Sequence, residues 1–429
     1  MNRQTKKQNI KQYLTWLTEG VMAGTGAGIM VAVYRFGLTN AENILSFIWD
    51  KIRGNALLTG LWFAALLLLA VIVGSLLRLE GRAGGSGLPQ LAAEIDGAID
   101  PCWWKVILVK LISAVLCILG GLSLGRVGPS IQFGAMAAKG VSHIPGNGRE
   151  LKENRLRLLC CGAGAGLAAT FHVPLAGLLF ILEELRHNFD KALVITGAAA
   201  SLSGDIVCRL IFGDATVFSY TPGLIPLPDY WLLVLLGLLL GLAGAFYNYS
   251  MVKMQLLFNK FKKVPQEIRL MVPFLLAGIF GLFLPQILGG GRPMVKILTD
   301  TSPVLTTLLI LFVFKFIFSV ICSGSGAPGG IFFPLFVMGA YLGAIFGSVS
   351  IQFFGVDAGL WQQFMILGMA GFFTGILRLP LTGIAITAEI TGSILGLPDI
   401  VLVVLVSYAT AGLTPVKSII RELQALLKA

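Results

Sequence analysis

Apolar runs follow one another along almost the whole chain. They fall at about 17–38, 56–78, 104–124, 131–140, 156–170, 174–185, 192–212, 229–253, 270–284, 303–322, 331–349, 361–376, 381–393, 397–412 and 416–427. A helix needs roughly 20 residues to cross a bilayer, and several of these runs are well short of that. The pattern predicts an all-α integral membrane protein that mixes long tilted helices with re-entrant half-helices. Residues 1–16 predict a separate short amphipathic helix at the cytoplasmic membrane surface, and Arg3, Lys6, Lys7 and Lys11 favour a cytoplasmic N-terminus.

Two breaks between runs are rich in glycine and proline yet lie within apolar sequence. Gly125-Arg126-Val127-Gly128-Pro129-Ser130 separates the long run at 104–124 from the short one at 131–140, and Gly330-Ile331-Phe332-Phe333-Pro334 repeats the punctuation. A simple spanning helix does not tolerate such breaks, because each freed backbone group is costly in hydrocarbon. Where the freed backbone lines a polar cavity, the N–H groups at the start of a half-helix form an anion site. Arg126 adds a full positive charge to that place.

The breaks belong to an internal repeat. Gly85-Ser86-Gly87-Leu88-Pro89 matches Gly289-Gly290-Gly291-Arg292-Pro293 at an offset of 204. Lys110 matches Lys315, Gly125 matches Gly330, Pro129 matches Pro334 and Gly134-Ala135 matches Gly339-Ala340 at 205. Pro174-Leu175-Ala176-Gly177 matches Pro380-Leu381-Thr382-Gly383, and Glu183 matches Glu389, at 206. Two membrane halves with broken helices at corresponding positions point to a transport site at their interface. The halves are expected at 17–222 and 223–429; the basic stretch at 253–269, with Lys253, Lys260, Lys262, Lys263 and Arg269, is a second candidate boundary.

Composition narrows the class. The 429 residues are 56% hydrophobic and only 12% charged, against about 25% charged in soluble domains. The net charge of +11 falls mainly in loops and termini, which suits juxtamembrane basic loops and not nucleic acid. Cys102, Cys117, Cys160, Cys161, Cys208 and Cys322 lack metal spacing and read as free thiols, and His143, His172 and His187 form no metal motif. No nucleophile motif is present, so an enzyme is disfavoured, and neither a cofactor nor a metal is expected.

The stretches at 85–89, 125–129 and 324–334 resemble the three signature motifs of the CLC chloride channels and transporters. Residues 174–184 and 378–383 are similar to that family too. The resemblance implies a CLC-type inverted repeat of about eighteen helices and a homodimer with one pore per subunit. It further implies transport of chloride and similar monovalent anions across the cell's inner membrane, with lipid as the other partner and no cytoplasmic regulatory domain. It places the anion at the Ser86 hydroxyl and at the backbone N–H groups of Ile331 and Phe332, with Gly87 and Gly330 adjoining. Gly125, Arg126, Gly128 and Pro129 frame the gate. Glu184 matches the inner proton-relay acid; a helix-end carboxylate paired with Arg186 or His187 is the structural alternative. Glu389 is expected to make a structural hydrogen bond. Lys110 and Lys315 are expected to raise the potential along the anion path.

Two positions depart from the family pattern. Val127 stands where transporters carry a gating glutamate, and valine cannot ionise. Lys417 stands where a tyrosine often faces the anion; its ammonium either reaches the inner pore mouth as part of the anion site or snorkels to the surface. Val127 leads to the expectation of a passive chloride-selective channel or uniporter without proton coupling. The alternative is a chloride/proton antiporter using another proton route through Glu184.

Overall fold

The computed structural model describes residues 3–144, 152–186, 189–214, 223–301, 303–392 and 395–428. Among them run 17 α-helices and no strand ladder. The first half holds α1 (Arg3–Ile52), α2 (Ala56–Leu79), α3 (Leu88–Ile95), α4 (Trp103–Leu119), α5 (Val127–Ser142), α6 (Lys152–Phe171), α7 (Pro174–Phe180) and α8 (Lys191–Phe212). The second holds α9 (Tyr230–Lys260), α10 (Gln266–Phe283), α11 (Arg292–Asp300), α12 (Leu305–Gly324), α13 (Phe332–Phe354), α14 (Trp361–Leu377), α15 (Pro380–Thr391) and α16 (Leu397–Gly412), followed by α17 (Ile419–Lys428). Eight helices are long and apolar enough to cross a membrane. Their outward faces carry exposed leucine and phenylalanine, among them Phe36, Leu57, Leu210 and Phe246, as lipid contact requires.

The expected surface helix at 1–16 is not a separate element. Nothing in Thr15-Trp16-Leu17-Thr18 breaks a helix, and α1 runs continuously from Arg3 to Ile52. Lys253 and Lys260 lie on α9, so the basic stretch there is mostly helix and leaves only a short turn before α10. The expected junction at 222 falls among residues 215–222, outside the described residues.

The repeat is visible in the backbone. Left-handed glycines come in matched pairs: Gly85 with Gly289 (φ 59° each), Gly87 with Gly291 (92° and 109°), and Gly121 with Gly326 (82° each). The two non-glycine residues in this region are also a matched pair, His172 (φ 61°) and Arg378 (φ 63°), each just past the end of α6 or α14. Such a conformation costs a bulky residue on the order of 1 kcal/mol or more, and each is held by side-chain bonds. Arg35 and Asp205 bond the His172 ring, and the Arg378 guanidinium donates to Tyr408 and Val416 carbonyls.

Glu183 and Glu389 tie the halves together reciprocally. Glu183 accepts from the N–H groups of Leu381 (3.0 Å) and Thr382 (2.8 Å) at the start of α15. Glu389, on α15, accepts from Leu175 (3.0 Å) and Ala176 (2.8 Å) at the start of α7. Each carboxylate satisfies orphan donors at a helix start and complements its dipole. Glu389 thus makes the structural hydrogen bonds expected of it. Because hydrogen bonds to a charged group contribute about 1.5–3 kcal/mol each, Glu389→Ala should lower the thermal midpoint in detergent by several degrees. Glu184→Ala, one residue from the matching Glu183, should shift it far less. Equal shifts for the two would sink the capping role.

Candidate functional site

Four short or broken helices start from glycine turns, and their starts converge. α3 and α11 begin after left-handed Gly87 and Gly291, while α5 and α13 begin after Arg126 and Ile331. Gly125 and Gly330 exchange backbone hydrogen bonds in both directions, N···O 2.5 and 2.7 Å, and so lock the starts of α5 and α13 together. Gly85 N–H donates to Gly326 and Gly289 N–H to Gly121, 3.0 Å each, a further repeat-related pair. The packing leaves no space for a side chain: a Cβ on Gly128 would lie 2.6 Å from the Ser86 carbonyl oxygen, and one on Gly330 would lie 2.6 Å from the Gly128 nitrogen.

This contact divides two vestibules. The inner one, on the side of α17, is lined by Ser86, Pro89, Ser323, Ile331, Leu423 and neighbouring residues. The outer one begins at a narrow cleft bordered by Glu42, Gly125, Arg126, Arg292 and Phe333. It widens to about 450 Å³ past Trp49, Asp50 and Arg53. Val127, completely buried, lies between them.

The structure brings together most of the residues expected to hold an anion. Ser86 is buried beside Ile331. Its hydroxyl does not cap α3: Gly87 is the cap residue, with no side-chain bond. The N–H groups of Ile331 and Phe332 belong to the first turn of α13, where no intrahelical acceptor exists, and that end carries about half a positive charge. Gly87 and Gly330 supply the close backbone approach. Lys417 is not part of this group. Its side chain is exposed, its N–H donates to Glu422, and leucines of α17 line the vestibule instead. Its exposure agrees with both readings of Lys417, a hydrated charge near the pore mouth or a side chain at the surface. The turn before α17 leaves the lysine exposed, where water can hydrate its ammonium.

Lys110 and Lys315 are fully buried, so neither snorkels. Lys110 Nζ donates to the Gly85 carbonyl at 3.0 Å, and Lys315 Nζ donates to those of Ile287 (2.8 Å) and Gly289 (2.7 Å). Each ammonium holds a glycine turn in shape from behind. Arg126 extends between the rings of Phe171 and Phe333, 5.3 and 5.4 Å from their centroids, which stabilises a cation withdrawn from water. Glu184 is half-buried at the end of the α7 segment, with Arg421 of α17 acting on it, and has no hydrogen-bond partner among the described residues. No ion pair joins it to Arg186 there; His187 lies outside the described residues.

Two residues at the outer cleft escaped the sequence argument. Arg292 appears in a repeat motif, but its charge has no counterpart at Leu88, its match in the first half. Glu42 falls between the apolar runs at 17–38 and 56–78. The rule that an acid within a membrane helix marks function would have found it only with α1 known to continue.

A family model described as "Voltage gated chloride channel" matches residues 65–412. The H(+)/Cl(-) exchange transporter ClcA of Vibrio cholerae is 34% identical over 391 residues, covering 88% of this chain and 81% of that protein. A solved structure of a slow cyanobacterial Cl-/H+ antiporter has a TM-score of 0.90 at 25% identity, covering 96% of this chain and 97% of that one. A eukaryotic CLC transporter, at 22% identity, TM-score 0.78 and coverage of 96% and 75%, shares the fold. The chain belongs to the voltage-gated chloride channel (CLC) family, whose members are transporters and channels, not enzymes. It is a multi-pass protein of the inner membrane.

The expectation of a passive, uncoupled pathway is overturned by these relatives, which are named as exchangers along nearly the whole chain. That expectation rested on Val127 alone, and one missing carboxylate does not remove the other groups a proton can use.

If Ser86 donates to the anion, Ser86→Ala removes one of several donors and leaves the backbone ones intact. Selectivity among chloride, bromide and nitrate should change by about tenfold, the low end of a hydrogen bond to a charged group, with flux retained. Unchanged ratios would leave the hydroxyl without a role.

Proposed function

We propose that the protein is a chloride/proton antiporter, working as a homodimer with a separate pathway in each subunit. The observation that carries this reading is its similarity, over most of both chains, to the H(+)/Cl(-) exchange transporter ClcA. The anion rests between the Ser86 hydroxyl and the first N–H groups of α13, with Gly87 and Gly330 admitting it close to the backbone. Dipoles and N–H donors hold a monovalent anion without a fixed counter-charge, which keeps binding weak enough for release. The two halves, 17–222 and 223–429, meet at this point. Lys110 and Lys315 add positive potential from behind the glycine turns.

Glu184 takes the proton on the inner side. Its carboxylate lies within the protein, free of the capping bonds that occupy Glu183, and Arg421 stands near. Val127 offers no acid to receive that proton, so the outer half of the route uses another group.

In liposomes with an imposed chloride gradient, the purified protein should drive protons uphill, and collapse of the proton gradient should alter chloride flux. Chloride movement with no uphill proton movement would refute the exchange reading. Glu184→Gln should lower proton transport by about 10²-fold, the scale of losing a positioned proton-transfer group, while chloride still crosses.

A further inference from the structure

Glu42 is the acid that borders the narrow outer cleft, together with Gly125 and Arg126 of the gate. It projects from α1, and its Oε2 accepts from the Arg292 guanidinium at 3.1 Å, the two side chains being 28% and 53% exposed. Arg292 opens α11, the helix that repeats α3. Charged and titratable groups lie around Glu42 from several elements: Arg292 on α11, Arg126 preceding α5, Lys315 on α12, Tyr34 and Asp50 on α1 and Arg53 just after it, with Arg35 of α1 acting on Arg126 and Arg292. Cations predominate. A carboxylate in that position offsets part of the positive charge that an anion entering the cleft meets first.

We propose that Glu42 is the outer proton-exchanging acid of this chain, competing with the anion for Arg292 and Arg126 and taking the place of the carboxylate that Val127 cannot supply. With Glu42 ionised, Arg292 is engaged and the anion is opposed at the cleft. One proton from vestibule water binds a Glu42 carboxylate oxygen. The ion pair weakens to a hydrogen bond from the guanidinium to a neutral carboxylic acid, and the arginine charge turns to the incoming anion. Loss of the proton, to water or inward toward Glu184, restores the carboxylate and expels the anion. The proton-exchange half rests on the antiporter reading; the competition half does not.

Two measurements on proteoliposomes separate them. The first is uphill proton transport driven by chloride, for wild type and Glu42→Gln. The variant should lose about tenfold or more of the wild-type rate, with chloride flux retained or raised. Wild-type proton transport in Glu42→Gln would overturn the assignment and leave the antiporter reading standing. A wild type that moves no protons uphill would refute that reading and with it the proton-exchange half.

The second is chloride flux against pH in a Glu184→Gln background, where the inner acid no longer titrates. Flux should rise several-fold as pH falls and should be flat and high when Glu42→Gln is added. The same rise in both proteins would overturn the competition. Glu42→Asp keeps a carboxylate and should preserve both behaviours at reduced size, separating charge from packing. Loss of both in the aspartate variant, with the thermal midpoint unchanged, would count against the proposal.

Discussion

The mutual hydrogen bonds of Gly125 and Gly330 are the constraint on which the rest of the structure depends. Two helices that stop inside a membrane protein leave their first N–H groups without acceptors, and in hydrocarbon that cost is prohibitive. Here the stretches before α5 and α13 satisfy each other, N–H to carbonyl in both directions. Only hydrogen fits at Gly128 and Gly330, so the two starts and the Ser86 carbonyl can meet. What remains unpaired is the next layer of donors, in the first turns. Those donors face the vestibules, where an anion can take the place of a protein acceptor.

Bringing helix starts together concentrates positive ends, and the structure manages that in two ways. Where a start has a structural purpose it is closed with a carboxylate: Glu183 at α15 and Glu389 at α7. Where a start faces the pathway it is left open, and the nearby side chains are serine, glycine and bulky apolar residues. Lys110 and Lys315 stand behind the open starts and donate to backbone carbonyls at or beside the glycine turns. Anchored among carbonyls, neither lysine has an acid in contact among the described residues, which supports the proposal that they raise the potential around the anion.

The features legible in the sequence were those carried by residue type at fixed spacing. Paired glycines, paired lysines and paired glutamates at offsets of 204–206 disclosed the two halves, and their contacts follow the same symmetry, down to φ at His172 and Arg378. α3 and α11 leave no helical signature in the sequence, because 8 and 9 residues do not sustain a period. α1 was divided since a change from charged to apolar composition resembles a boundary even where the helix continues. The Glu42–Arg292 contact spans 250 positions and has no repeat partner. Spacing could not reveal it.

The functional error followed from similar logic. Val127 by itself does not decide whether a proton path exists. A proton moving across a membrane protein needs an acceptor wetted from each side and a route between them, and each acceptor is defined by its vestibule more than by its chain position. In the exchange mechanism proposed above, the inner acceptor is Glu184, near Arg421 of α17. The outer vestibule has lost the acid at 127 but brings another from α1 to the same cleft, at a site where two arginines already attract anions. An apolar residue at the gate removes the short connection between these sites. In the proposed mechanism, the Glu42 carboxylate and the incoming anion compete for the same arginines, one layer further out.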